Sequence, residues 1–189
     1  MSRDKILAAV KQNKPELVPL PEMVSFAYAA NDLLLAFTAS IGKAGGTVTV
    51  LNNASELTAA IKAVFPDAQR VGDFVLGDKS SNAWLLEDVE QLDVVALKGQ
   101  LGVAENGAIW LTDKDCVERV LPFITQHLVL LVDRKTLVGN MHDAYAIMGA
   151  QDPDYGVFIA GPSKTADIEQ SLVIGAHGPR SLQVFVIDN

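Results

Sequence analysis

Apolar and polar positions fall into short blocks along this chain, and the blocks predict helices and strands in alternation. Residues 2–13 predict an exposed amphipathic helix with Ser2 as its N-cap. Pro15, Pro19 and Pro21 then break regularity and predict an extended arm. A helix is expected over 25–41, stopped by the glycines between Gly42 and Gly46. The β-branched run 46–51 predicts a strand, and 55–65 a helix capped by Asn53 or Ser55 and ended by Pro66.

Shorter blocks fill the middle. A strand is expected within 70–76, a helix over 83–91, and strands over 93–97, 101–104 and 108–111, parted by Gly99-Gln100 and Glu105-Asn-Gly107. Residues 113–120 predict a helix. The run 128–133 is apolar without interruption, as in a parallel strand covered on both faces. A helix over 137–150, a strand over 155–160, a short helix over 166–171 and a strand over 182–187 complete the pattern. Such alternation predicts an α/β fold of three layers around a mainly parallel central sheet. Residues 1–22 read as an N-terminal helix and arm, and 23–189 as a single domain.

Composition narrows the function. The chain has 189 residues, 49% hydrophobic and 20% charged, ordinary for a globular protein with a substantial core. A formal charge of −8 without a basic cluster argues against nucleic acid or an anionic membrane surface as partner, while leaving room for a local basic pocket. Cys116 is the only cysteine, which excludes an internal disulfide and an iron–sulfur cluster held by this chain alone. It reads as a half-buried helix residue. The most apolar stretch, 24–41, carries Asn31 and Asp32 at its centre, and a mid-membrane Asp costs about 2.5–3.5 kcal/mol. No membrane insertion is expected. Charges near the start stand where a leader's apolar segment would run, so a cytoplasmic location is expected.

Candidate chemistry concentrates in two places. Gly161-Pro-Ser-Lys-Thr-Ala-Asp-Ile-Glu169, followed by Gly175-Ala-His-Gly-Pro179, is a polar segment between predicted strands. It is not a nucleotide phosphate loop, because Ser163 stands where a glycine must precede the lysine. Ser163, Lys164 and Thr165 at a helix start can bind a small carboxylate or phosphate, or can simply cap a turn. Asp167 and Glu169, two apart, point in nearly opposite directions on a helix and cannot then share one site. His177 is a candidate acid–base group, anion contact or loop hydrogen-bonder. The three histidines lack metal-ligand spacing, so no metal is expected. The second place is Glu105-Asn-Gly107. Asn-Gly predicts a hairpin turn, and a glutamate between apolar segments is expected to be partly desolvated and suited to act as base or nucleophile.

At the paired motif the chain resembles the lactate-utilization (LUD) domain family, whose pattern of Gly-Pro-Ser-basic-Thr-Ala-Asp-Ile-Glu and Gly-x-His-Gly-Pro is present with Lys164 as the basic residue. Where the family usually has Ala-Glu-Thr-Gly-Thr, this chain has Ala104-Glu-Asn-Gly-Ala108, keeping Glu105 and Gly107 but neither threonine. The resemblance implies a NagB/RpiA/CoA-transferase-like fold and a role in oxidising L-lactate to pyruvate beside iron–sulfur partner subunits that hold the clusters, with no cofactor on this chain alone. It makes Gly107, Gly161, Ser163, Lys164, Thr165, Asp167, Glu169 and His177 candidate ligand contacts. Glu-Asn-Gly also resembles the nucleophile motif of class I CoA-transferases, so a stand-alone enzyme of CoA-transferase or sugar-phosphate-isomerase type using Glu105 is the rival expectation. A non-catalytic small-anion-binding module is the third.

Overall fold

A computed structural model describes residues 2–19, 21, 28–29, 31–76, 86–149, 153–165 and 173–188. In chain order these form α1 (Arg3–Gln12), α2 (Leu33–Ala44), β1 (Thr47–Leu51), α3 (Leu57–Val64), β2 (Val71–Asp73) and α4 (Leu86–Val89). Next come β3 (Val94–Lys98), β4 (Leu101–Val103), β5 (Ile109–Thr112), α5 (Leu121–Ile124), β6 (His127–Asp133) and β7 (Leu137–Val138). The last elements are α6 (Met141–Met148), β8 (Gly156–Ile159), β9 (Lys164–Thr165), β10 (Val173–Ile174) and β11 (Ser181–Ile187).

Five strands make a wholly parallel sheet in the order β1-β11-β6-β3-β2. Period-two alternation divides its side chains between two cores. Val94, Ala96, Val129, Leu131, Phe185 and Ile187 face α3, meeting Leu57 and Ile61. The opposite set, including Val95, Leu97, Leu130 and Val184, packs on Phe37 and Ile41 of α2 and on Ile109 and Leu111 of β5. A second sheet, β7-β4-β5-β8, turns its far face (Leu101, Val103, Trp110) to Ala144 of α6. The expected three layers are therefore present, with a small mixed sheet and its helix added. Gln183 is the one polar side chain buried within β11. Its Oε1 accepts from Thr47 Oγ1 at 2.5 Å and its Nε2 donates to Thr49 Oγ1 at 3.1 Å, so the two β1 threonines satisfy it.

Three predicted helices are corrected. The helix expected over 25–41 starts at Leu33, because Asp32 is its N-cap and accepts from the N–H groups of Leu34 and Leu35 at 2.9 and 3.3 Å. It runs on to Ala44, where Gly45 closes it in the left-handed conformation. Residues 113–120 form turns instead of a helix. The Asp115 carboxylate takes bonds from Thr112 N, Thr112 Oγ1 and Gln100 Nε2, which gives this segment a local alternative to helical bonding. Cys116 accordingly sits in a turn and is buried in the core. The helix expected over 137–150 opens with β7 and begins only at Met141, where Asn140 accepts from Asp143 N at 2.9 Å. At the other end of the chain, α1 is exposed as expected, but Ser2 occupies its N-cap position without a side-chain cap bond. The helix predicted over 166–171 lies outside the described residues.

If Asp32 starts α2, Asp32→Ala lowers stability by about 1 kcal/mol in urea denaturation and Asp32→Asn restores most of the loss. An effect of Asp32→Ala within about 0.5 kcal/mol, ordinary for a surface substitution, would place the start of the helix elsewhere.

Candidate functional site

Backbone hydrogen bonds fasten the two halves of the paired motif to each other. Ser163 N donates to Pro179 O and Gly175 N donates to Ser163 O, each at 2.9 Å. Beyond them β9 and β10 pair antiparallel, Lys164 opposite Ile174 and Thr165 opposite Val173, and Thr165 Oγ1 donates to Val173 O at 3.2 Å. A side chain at Gly178 would begin 3.0 Å from Ser163 Cβ. Lys164 and Thr165 are thus strand residues, and the anion cradle expected from helix-start N–H groups at Ser163–Thr165 is replaced by a two-stranded clamp. Asp167 and Glu169 lie outside the described residues.

The C-terminal half of α2 is the platform for this clamp. Gly161 has φ +84°, and a Cβ there would lie 2.5 Å from Ala44 O. Gly107, at φ +71°, would put a Cβ 2.9 Å from Ile41 N. Both positions need the left-handed conformation and a backbone-to-backbone approach that only glycine permits. β5 and β8 pair antiparallel as far as Ile109 with Ile159, and Gly107 and Gly161 each lie two residues beyond that last pair. Ser40 Oγ completes the seat, donating to Ala104 O at 2.7 Å and Glu105 O at 3.3 Å. Lys164 Nζ lies 3.6 Å from where a side chain at Gly45 would start, so its ammonium sits at the negative end of the α2 dipole.

The hairpin predicted at Glu105-Asn-Gly107 is present between β4 and β5, with Asn106 Oδ1 accepting from Ala108 N at 2.9 Å. Glu105 itself is exposed, contrary to the expected desolvation: the apolar side chains on either side turn into the cores and leave the carboxylate in water. His177 and Lys164 are exposed too, and Ser163 and Thr165 are half-buried. Among the described residues, no hydrogen bond or ion pair joins Glu105 to the clamp.

Next to the clamp lies a cavity of about 450 Å³ lined by Phe65, Asp93, Gln126, His127 and Arg180, with Asp67 at its rim. Arg180 directly follows Pro179, and its Cγ would be 2.5 Å from a side chain at Gly175. Its backbone N–H donates to Gln126 O at 2.8 Å. Asp93 Oδ2 accepts from Arg70 N at 3.0 Å and Gln69 N at 2.8 Å, and these bonds hold its carboxyl below its ordinary value. His127 Nδ1 is 2.8 Å from Ser181 Oγ, and its ring packs on Phe65 with centroids 4.8 Å apart. Burial lowers the imidazole's pKa, with a further lowering from the Arg180 charge. Sequence reasoning missed Arg180, Gln126 and Asp93 and set His127 aside for lacking metal spacing. The available signal was that Arg180 adjoins the motif and that His127 opens the most apolar strand.

Both clamp and cavity sit where β11, β6 and β3 begin, at the amino edge of the sheet. The carboxyl edge, where open α/β sheets usually receive ligands, carries a separate cavity of about 400 Å³ lined by Lys98, Gln100, Asp115, Asp133 and Thr136.

The fold is thus a parallel α/β sheet with a glycine-seated, hydroxyl- and lysine-bearing clamp at its amino edge. Residues 76–187 match the LUD domain family model, and the chain belongs to that family. It is 27% identical to lactate utilization protein C of Geobacillus thermodenitrificans, in an alignment covering 99% of this chain and 91% of that one. With lactate utilization protein C of Shouchella clausii it shares 26% identity over 78% and 71% of the two chains. A crystal structure of a DUF162 family protein from Deinococcus radiodurans superposes with a TM-score of 0.65 at 21% identity, over 82% of this chain and 96% of that one, which shows the shared fold.

The seat on α2 predicts that Gly161→Ala lowers stability by about 2 kcal/mol or more in urea denaturation. Lys164→Ala should stay within about 0.5 kcal/mol. Equal effects would contradict the seat. Asp93 is held below its ordinary value of 3.8, so its stabilisation is complete above that pH and is lost as pH falls through the lowered value. Stability measured across acid pH should therefore decline less steeply in Asp93→Asn than in the parent; parallel acid limbs would contradict the two backbone bonds.

Proposed function

We propose that this chain serves lactate utilization as a substrate-handling or accessory subunit, beside iron–sulfur partner proteins that accept the electrons as L-lactate is oxidised to pyruvate. The observation that carries this reading is similarity to lactate utilization protein C over 99% of this chain and 91% of the relative. The clamp supplies suitable chemistry. Lys164 offers an exposed ammonium, Ser163 and Thr165 offer hydroxyls, and exposed His177 stands on the facing segment, a donor set that suits a small carboxylate or phosphate. Gly107 and Gly161 shape the seat, and Asp167 and Glu169 belong to the same proposed site by sequence. The redox step removes two electrons and two protons from lactate, and this reading assigns the electron carriers to the partner subunits.

The rival reading, acyl transfer on Glu105, requires a carboxylate with reduced hydration, and this one is exposed. Deleting the gene should abolish growth on L-lactate in a host without a second pathway. The parent chain and Glu105→Gln should both restore it, and Ser163→Ala/Lys164→Ala should not. Affinity purification from lactate-grown cells should recover iron-containing partners. Normal growth of the deletion strain would refute the role; loss of rescue by Glu105→Gln, with a hydroxylamine-sensitive adduct on Glu105 after incubation with acyl-CoA, would favour the enzyme.

A further inference from the structure

The cavity beside the clamp has its own chemistry. Its positive group, the exposed Arg180 guanidinium, has no carboxylate within ion-pair distance among the described residues. Of the two carboxylates nearby, Asp67 is exposed at the rim, and Asp93 is engaged by the N–H groups of Gln69 and Arg70. The Arg180 guanidinium lies near enough to the His127 ring to lower its pKa, so cation and imidazole share one cavity in a protein of net charge −8. With Nδ1 bonded to Ser181 Oγ, the imidazole keeps Nε2 for a ligand, and Gln126 adds an amide. Phe65, stacked on the imidazole, gives an apolar wall.

We propose that this cavity binds a small oxyanion, a carboxylate or a phosphate group, with Arg180 as its charged partner and Gln126 and His127 as supporting contacts. A guanidinium without an ion pair among the described residues, beside a fixed imidazole and an amide, matches an oxyanion's several acceptor positions, and Arg presents two parallel N–H groups to such a group. Arg180 packs on Gly175, whose N–H is bonded to Ser163 O, so the charged residue of the cavity adjoins the clamp. The site also takes up a proton. An anion at Arg180 offsets a charge that lowers the His127 pKa, so the imidazole pKa rises on binding and affinity increases as pH falls through its range. The other charged groups on that cavity are Asp93, whose charge raises the His127 pKa, and Asp67.

Isothermal titration of the purified full chain with inorganic phosphate, L-lactate and pyruvate tests the assignment and shows which oxyanion is preferred. At least one probe should bind. Arg180→Gln should weaken it about tenfold or more, the loss of one charged hydrogen-bonded contact. Arg180→Lys should recover part of that loss, and Lys114→Gln, which removes the same charge from an exposed turn elsewhere, should leave affinity unchanged. The His127 ring signals, followed by NMR, should titrate at higher pH with the probe than without. Absence of binding by all three probes, equal weakening by Arg180→Gln and Lys114→Gln, or an unshifted His127 titration would overturn the proposal. The inference does not depend on the lactate reading. A chain that binds phosphate here yet is dispensable for growth on lactate keeps this site and loses that function.

Discussion

Two glycine backbones pressed against the backbone of α2 tie the second sheet and the clamp to that helix. Gly107 precedes β5 and Gly161 follows β8, each two residues beyond the last pair of those strands, and both meet α2 between Ser40 and Ala44 at distances that leave no room for a Cβ. The same helix sends Phe37 and Ile41 into the core against the central sheet. A shift of α2 would therefore move the Glu105 turn, the start of the clamp and the main core as one body. Rigid support of this kind lets a short polar segment present fixed donors instead of a mobile loop.

Electrostatics follows from that placement. The carboxyl end of α2 lies next to the ammonium of Lys164, so the residue that supplies the clamp's charge also sits at the negative end of a helix dipole. Across the clamp, Gly175 fixes the stem of Arg180. The molecule thereby sets two cations at the amino edge of an acidic protein, one in the clamp and one over the cavity. Their common edge is opposite to the one usual for open parallel sheets, because the clamp is built where the chain enters β11 and the platform where it enters β1.

Much of the architecture was legible in the sequence. Continuous apolar runs marked β6 and β11, Asn-Gly marked the hairpin, and the paired motif marked the family. Errors arose where a polar side chain bonds the backbone. Asp32 looked like a polar residue inside an apolar helix and is the cap that begins it; Asp115 accepts from Thr112 at the end of β5 and closes a turn in a stretch of helical composition. For the site, the motif halves were legible but their pairing as strands was not, since β9–β10 rests on two residues from each side. Arg180, Asp93 and His127 meet only through the order of three parallel strands, which no local pattern encodes. Glu105 shows the reverse error: apolar neighbours in sequence turned inward and left it exposed.

On the reading proposed above, ligands are recognised at the amino edge of the sheet, on the α2-seated clamp and in the cavity beside it. Backbone amide spectra recorded while inorganic phosphate or L-lactate is added to the full chain test it most directly. Perturbations should concentrate at residues 163–165, 175–180 and 126–127. Perturbations confined to 98–100 and 133–136, the carboxyl edge with its separate cavity, would contradict it.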